Sequence, residues 1–243
     1  MRKLVTITDL TRMSGKYVCA AGYLQNRTCI RPVSRYRPFR DDWLQSDGQV
    51  VIRPFAIVEF DFWRRNPQPP HTEDWIVHPS YRVFQGMLAP SQQEALLSRV
   101  NDGSVENIFG ATICSDHGWY IKVGEGKRSL GTVSPKQVWL VSFDEKWGSY
   151  RIAFTDEAEQ WYRLTVTDLS FREYAKYLCT HKGTSPNEVA KNLTKTLQAQ
   201  PIFLRIGLAR NWKEFPEQCH LQITGVYTFP DYLEGHCFAN STL

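Results

Sequence analysis

The residues best suited to bind a polyanion lie close together in the first quarter of this chain. Five arginines occur between residues 27 and 40 with no acidic residue among them, and aromatic side chains are interleaved with this run. A guanidinium group is planar and always charged, so it suits phosphate, while aromatic rings provide surfaces on which bases stack. This pattern predicts a surface for single-stranded nucleic acid, either DNA or RNA. The residues that we expect to contact it are Arg31, Arg35, Arg37, Tyr36, Trp43, Trp75, Lys127 and Arg128.

The arginine run also has a purely structural interpretation. In that interpretation it is a solvated loop whose guanidinium groups pair with Asp41, Asp42, Asp47 or acids elsewhere. Residues 1–65 carry a net charge of +6 and the rest of the chain carries −2. The excess of positive charge therefore belongs to the part of the chain that contains the run, and both interpretations stay open.

Residues 71–74 bring an imidazole and two carboxylates together within four positions. Such groups are the usual general acids and bases of enzymes. Our alternative site is a ligand cleft lined by His71, Glu73 and Asp168, which would suit a sensor of a nucleotide-type small molecule or a hydrolytic enzyme. The structural interpretation is a loop whose polar groups satisfy nearby main chain. Asp168 also has the position of a helix N-cap.

The glycine-rich segment 124–131 resembles a phosphate-binding loop at first sight. A P-loop requires a glycine five positions before its Gly-Lys pair and a Ser or Thr after it, because these residues cradle phosphate and bind magnesium. Ile121 and Arg128 occupy those positions here, which excludes a P-loop nucleotide hydrolase. We predict instead a flexible β-hairpin that presents Lys127 and Arg128 to a phosphate backbone.

Other signatures of catalysis or metal binding do not occur in the sequence. There is no GxSxG motif, and the six cysteines include no CxxC pair of the kind that zinc sites favour. We therefore expect a non-catalytic protein with reduced thiols, no metal site and no cofactor.

The chain is 243 residues long and 42% hydrophobic, which is enough apolar material for a core. It contains no uninterrupted apolar run of about 18 residues, the length associated with a membrane-spanning helix. The N-terminus is too polar for a secretory signal. We expect a cytoplasmic protein without a membrane partner.

Short strand patterns in two groups dominate the chain, with few helices between them. Helices are predicted from Pro90, over residues 170–181 and over residues 187–197. This order argues against alternating βαβ units and favours small barrels. We predict a mainly β protein of two fused small β-barrels: residues 1–100 with the basic segment, residues 101–235 with inserted helices, and a tail over 236–243. One larger sandwich is the structural alternative.

Several segments resemble the dual OB-fold family found near bacterial conflict and defence genes. Residues 18–22 and 29–34 are similar to its Cys-x-Ala-Gly strand and its Trp-Ile-Arg-Pro-Val-Ser turn, with Cys29 in place of the aromatic residue. Residues 71–75 look like its His-Gln-x-Glu-Asn-Trp stretch, with Asp74 in place of asparagine. Landmarks of the second half are 129–131, 162–168 and 206–208.

The resemblance spans about residues 1–230. It implies two fused OB barrels that bind nucleic acid or nucleotides, with no known catalytic centre. We therefore expect a single-strand-binding protein of a bacterial defence system. A third alternative is a protein-interaction subunit whose arginine face meets an acidic partner from a neighbouring gene. The sequence predicts no oligomeric state.

Overall fold

Strands are more abundant than helices in this chain, and they fall into two groups separated by helices. The computed structural model describes residues 1–116 and 118–236. The strands of the first half are β1 (Arg2–Arg12), β2 (Tyr17–Tyr23), β3 (Cys29–Val33), β4 (Phe39–Arg40), β5 (Gln45–Ser46), β6 (Gln49–Val50), β7 (Ala56–Arg65) and β8 (Asp74–Met87). Those of the second half are β9 (Tyr120–Lys122), β10 (Leu130–Val133), β11 (Gln137–Asp144), β12 (Ser149–Thr155), β13 (Trp161–Val166), β14 (Ile202–Leu208) and β15 (Gln218–Thr228). The helices are α1 (Pro90–Arg99), α2 (Val105–Phe109), α3 (Leu169–His181), α4 (Pro186–Gln198) and a 3₁₀ turn at Asp41–Leu44.

Five strands of the first half close into a barrel. The ring runs β1, β7, β8, β3 and β2, and β2 pairs again with β1. Alternate residues of β7 are buried, so that Val58, Phe60 and Phe62 point into the barrel core. Gly22 permits the closure, because a Cβ at this position would lie 2.0 Å from the Thr6 carbonyl oxygen on β1.

The second half repeats the same strand order as an open sheet, an incomplete barrel that we call the second barrel. Its sheet runs β14, β15, β13, β12 and β11, and β13 is parallel to β15, as β3 is parallel to β8 in the first barrel. Strand β10 extends the sheet beyond β14, and β9 pairs with β15. The edge strand β11 is covered by α4, where Thr194 Oγ1 accepts from the Val141 N–H and Gln198 donates to the Val138 carbonyl. The helix thus satisfies main-chain groups of an edge strand.

The architecture is mainly β, with two OB-like units, as the sequence predicts. Helices α3 and α4 lie where the periodicity predicts them, and Asp168 and Ser185 cap their first turns. The predicted strands at 75–78 and 81–84 are one continuous strand, β8. Most of the predicted tail, residues 237–243, lies outside the described residues. The division near residue 100 stays a prediction.

The β-hairpin predicted over residues 124–131 is wrong. The strands on either side of this segment do not pair with each other, because β9 pairs with β15 and β10 pairs with β14. Lys127 donates its main-chain N–H to the Phe109 carbonyl, so the loop is fastened to α2.

A buried ion pair joins the two barrels. Arg205 on β14 has no exposed surface, and its Nε and Nη2 donate to the carboxylate of Asp9 on β1 at 2.8–3.2 Å. Arg205 Nη1 donates to the Tyr23 hydroxyl and to Thr132 Oγ1, and Thr224 Oγ1 donates to Asp9. Every charged atom of the pair is hydrogen-bonded, which is the condition under which two charges are tolerated in an interior.

An apolar contact reinforces this junction. Phe55 of the first half, Leu97 of α1, and Phe203 and Tyr227 of the second half form one buried cluster. The Tyr227 hydroxyl donates to the Thr8 carbonyl on β1 at 2.9 Å. Helix α1 therefore packs against both halves. None of the helices described is both long and apolar enough to span a bilayer.

We expect Asp9→Asn to lower the free energy of unfolding by about 3–5 kcal/mol, because it leaves the Arg205 guanidinium buried without a counter-charge. Urea denaturation measures the change. The matched control is Glu159→Gln, which breaks the exposed pair with Lys136 and should leave the midpoint unchanged. An Asp9→Asn protein that unfolds at the wild-type urea concentration would contradict the structural role of the pair.

Candidate functional site

A cavity of about 570 Å³ lies between the two barrels. One wall is formed by the end of β1, by β2 and β3, and by the loop over residues 34–38. The opposite wall is formed by the end of β14 and the loop over residues 209–212. We call this cavity the interbarrel cleft.

The cleft lies on the face that an OB barrel uses for binding. OB folds bind oligonucleotides and oligosaccharides on the surface of their second and third strands, between the loop that joins strands 1 and 2 and the loop that joins strands 4 and 5. In the first barrel those strands are β2 and β3, and those loops contain Met13 and Asn66, both of which line the cleft.

Arginines outnumber carboxylates around the interbarrel cleft. The charged residues that line it are Arg12, Arg31, Arg37, Arg210, Asp9 and Asp74. Arg12 pairs with Asp41 at 3.3 Å, and Asp9 is taken by the buried Arg205. The remaining set has three arginines and one carboxylate, so the cleft suits an anionic ligand.

Asp74 holds two of these arginines. The parallel register of β3 and β8 places Arg31 beside Asp74, and Arg31 Nε donates to Asp74 Oδ1 at 2.6 Å. The other carboxylate oxygen accepts from Nη2 of Arg210, which comes from the second half. Arg31 is only 5% exposed, and its Nη2 has no hydrogen-bond partner among the described residues.

Two exposed rings stand at the mouth of the cleft. Tyr36 is 82% exposed, and the main-chain N–H of Tyr36 donates to Ser34 Oγ in the turn that carries it. On the opposite side, Trp212 lies edge-on to Phe215 and packs on the His220 ring. Each half of the molecule therefore contributes one aromatic ring.

A second aromatic group continues from the mouth along the first barrel. The Arg35 guanidinium lies 5.3 Å from the Tyr36 ring centroid and 4.9 Å from that of Trp63 on β7. The Arg64 guanidinium also lies over the Trp63 ring, 5.5 Å from its centroid. We call this group of residues 35, 36, 63 and 64 the arginine–aromatic patch.

The structure places the predicted nucleic-acid residues in several different environments. Arg35, Tyr36 and Arg37 are exposed, and Tyr36 and Arg37 line the cleft. Arg31 lines it too, but as a buried partner of Asp74. Trp43 is 6% exposed and stacked on Phe39 at 3.7 Å, so its ring packs in the core and presents no face to a base.

The remaining three predicted contacts lie outside the cleft lining. Trp75 is half-buried beneath the cations of Lys3 and Arg65. Arg128 donates hydrogen bonds to the Asp102 carboxylate and to the Ile108 carbonyl, so its role is structural. Lys127 is exposed on the same loop.

Glu73 and Asp168 are engaged by main-chain groups rather than by a ligand. Glu73 accepts from the N–H groups of Ser129 and Leu130 at 2.6 and 3.0 Å and so clamps the loop over residues 66–73 to β10. Asp168 accepts from the N–H groups at the start of α3 and from that of Val226. Burial raises the pKa of Asp168 to about 7, although these N–H groups oppose the shift.

His71 is buried between the halves, and neither ring nitrogen has a hydrogen-bond partner among the described residues. Burial, followed by the charges of Arg31 and Arg210, lowers the pKa of His71 to about 2. None of His71, Glu73 and Asp168 lines the interbarrel cleft. The ligand cleft that the sequence analysis assigned to these three residues is therefore not the interbarrel cleft.

The residues that sequence reasoning missed come mainly from the second half. Arg210 and Trp212 stand two positions apart, a small version of the arginine–aromatic pattern in the first half. That spacing was the available signal, but only the tertiary fold brings it opposite Arg31 and Tyr36. No cluster of histidine, cysteine and acidic residues suited to a metal occurs among the residues described.

Comparison with known families agrees with this architecture. The profile of the dual OB-containing domain family matches residues 3–226. The chain belongs to this family. A search of the curated proteins found no match. Family membership accounts for the repeated strand order of the two halves of this dual OB protein.

We expect His71 to make the protein less stable in acid. The folded state keeps His71 neutral, because its pKa is about 2, whereas the unfolded chain takes up a proton below about pH 6.5. His71 therefore leaves the free energy of unfolding unaffected above that pH. As the pH falls, this free energy declines by about 1.4 kcal/mol per pH unit between pH 5.5 and 4.

Urea denaturation at pH 7, 5 and 4 measures this dependence in the wild type and in His71→Gln. The variant should lose less stability than the wild type over this range, whatever its stability at pH 7. The control is Ile52→Val, which lowers stability by removing a buried methyl group but removes no titratable group, and it should leave the pH dependence unchanged. Parallel curves for the wild type and His71→Gln would contradict the neutral, buried histidine.

Proposed function

We propose that this protein binds single-stranded nucleic acid on the β2–β3 face of its first barrel, without catalysing a reaction on it. The observation that supports the proposal is the interbarrel cleft, which lies on the binding face of an OB fold and has arginines in its walls and aromatic rings at its mouth. The defence-associated setting implied by the family resemblance belongs to the same proposal.

The phosphate backbone would follow the exposed arginines. Arg35, Arg37 and Arg64 have no carboxylate within 4.0 Å in the described part of the chain, so their charges are available to phosphates. Neutralising a phosphate releases condensed counterions, and this release is the main electrostatic source of affinity for a nucleic acid.

Bases would stack on the exposed rings. Tyr36, Trp63 and Trp212 all present ring surface to solvent, and the Arg35 guanidinium lies near the rings of both Tyr36 and Trp63. Stacking of one base on an aromatic side chain contributes about 1–3 kcal/mol and tolerates every base. The arginine–aromatic patch therefore supports binding with little sequence preference.

A nucleotide-type small molecule is the second candidate ligand. The wall of residues 209–212 reduces the binding face to a cavity of about 570 Å³, a size within the range of about 300–1,000 Å³ for small-molecule sites. In this alternative the protein is a sensor rather than a hydrolase, because the carboxylates of Glu73 and Asp168 are engaged by main-chain N–H groups.

We expect Arg35→Gln with Arg37→Gln to weaken oligonucleotide binding and to flatten its salt dependence. Losing two phosphate contacts should reduce the slope of log affinity against log salt by about 1.4 for a single strand. Fluorescence anisotropy with a labelled 12-nucleotide strand at several salt concentrations measures both effects.

The control for the double variant removes the same charge elsewhere, as Arg99→Gln with Lys191→Gln on the exposed faces of α1 and α4. This control should keep both the affinity and the slope. Equal affinity and equal slope for the two double variants would place the nucleic acid on another surface.

Tyr36→Leu should weaken the binding of the same strand by about 5- to 150-fold, the equivalent of one lost stacking contact. Thermal stability should not change, because the ring is 82% exposed. Trp147→Leu removes another exposed ring, 67% exposed, that does not line the cleft and is the matched control. If both variants bind alike, Tyr36 is not a stacking residue.

A further inference from the structure

Two guanidinium groups that line the interbarrel cleft share one carboxylate. Arg31 comes from the first barrel and Arg210 from the second, and each donates to a different oxygen of Asp74. Two positive charges and one negative charge leave this cluster with a net charge of +1. We call it the Arg31–Asp74–Arg210 cluster.

A second observation indicates that the cluster is incomplete without a ligand. Arg31 lines the cleft and only 5% of its surface is exposed. Its Nη2 nevertheless donates to no atom in the described part of the chain. A buried guanidinium N–H without an acceptor is costly, and native structures usually supply one. Nη2 is itself buried, so an anionic oxygen that reached it from the cleft would be such an acceptor.

The neighbouring groups do not provide that negative charge. Asp9 is fully used by Arg205, and both oxygens of Asp74 already accept from arginines. Arg37 adds a further positive charge to the lining. The cleft therefore has an excess of about two positive charges, which matches the charge of a phosphate monoester, roughly −1.5 to −2 at pH 7.

We propose that the Arg31–Asp74–Arg210 cluster binds the phosphate monoester of a nucleotide, either a phosphorylated strand end or a free nucleotide. Arg210 is the contacting residue, because its side chain is 44% exposed while one nitrogen is held by Asp74. Arg31, which is buried, adds its positive charge to the site. The adjacent base stacks on Trp212 or Tyr36 at the mouth of the cleft.

The preference for a monoester follows from charge. An internal phosphodiester carries a single negative charge and must leave the cleft on both sides, whereas a monoester carries more charge and ends the chain. Charge-assisted hydrogen bonds from arginine to phosphate are the strong ones in proteins. The strand-end form of this inference rests on the proposed function, and the free-nucleotide form does not.

The test compares ligands that differ only in a terminal phosphate. Four labelled 12-nucleotide strands are compared. Two carry the label at the 3′ end and either a phosphate or a hydroxyl at the 5′ end. The other two carry the label at the 5′ end and either a phosphate or a hydroxyl at the 3′ end. Anisotropy measures their affinity, and calorimetry compares adenosine monophosphate with adenosine. The proteins are the wild type, Arg210→Gln, Arg210→Lys and the control Arg99→Gln.

We expect the phosphate at one end, or on the free nucleotide, to tighten wild-type and Arg99→Gln binding by about tenfold. The effect should fall below twofold in Arg210→Gln. Arg210→Lys keeps a cation beside Asp74 and is therefore the variant expected to fold normally. It should keep only part of the phosphate effect, because lysine lacks the planar guanidinium group that forms two parallel hydrogen bonds. Thermal denaturation confirms that each variant is folded.

The outcomes separate the two proposals. A terminal phosphate that changes affinity less than twofold at both ends and on the nucleotide overturns the monoester site, even if the strands bind. A tenfold effect that survives in Arg210→Gln also overturns it. Binding of adenosine monophosphate that depends on Arg210, with no binding of any strand, supports the monoester site with a free nucleotide as ligand and contradicts the proposed function.

Discussion

The buried pair of Arg205 and Asp9 is the interaction on which the arrangement of the two barrels depends. Arg205 is fully buried, and its donors are taken by Asp9, the Tyr23 hydroxyl and Thr132. A guanidinium group in a protein interior is tolerated only when every one of these contacts is made at once. Because the partners lie on strands of both halves, the requirement defines how one barrel sits on the other. The walls of the interbarrel cleft are therefore held by the same contacts that stabilise the interior.

The arginines show how one residue type can have different roles in one fold. Arg205 and Arg128 are structural, since their carboxylate partners hold them, whereas Arg35 and Arg37 have exposed charges. Arg31 and Arg210 are intermediate, because they share the single carboxylate of Asp74. The number of carboxylates within reach, and not the number of arginines in the sequence, determines where an anion is attracted.

Several elements could be predicted from the sequence because their causes are local. Helices α3 and α4 follow from their periodicity and from N-caps only a few residues away from the groups that they satisfy. The exposed position of Tyr36 follows from a polar, arginine-rich turn. Trp43 could not be placed in this way, because its burial depends on the ring of Phe39 and on the barrel beneath it. The pairing of β9 with β15 and of β10 with β14 could not be predicted either, because a local sequence pattern does not identify a distant partner strand.

By itself the sequence determined the mainly β composition, the two groups of strands, the cationic first half and the dual OB resemblance, since these depend on residue types and short spacings. Only the tertiary structure decided which charges are free. Glu73 and Asp168 serve main-chain groups, and Asp74 joins Arg31 to an arginine 179 positions further along the chain. Electrostatic energy depends on distance and burial in space, and neither quantity can be read from separation along a chain that folds back on itself.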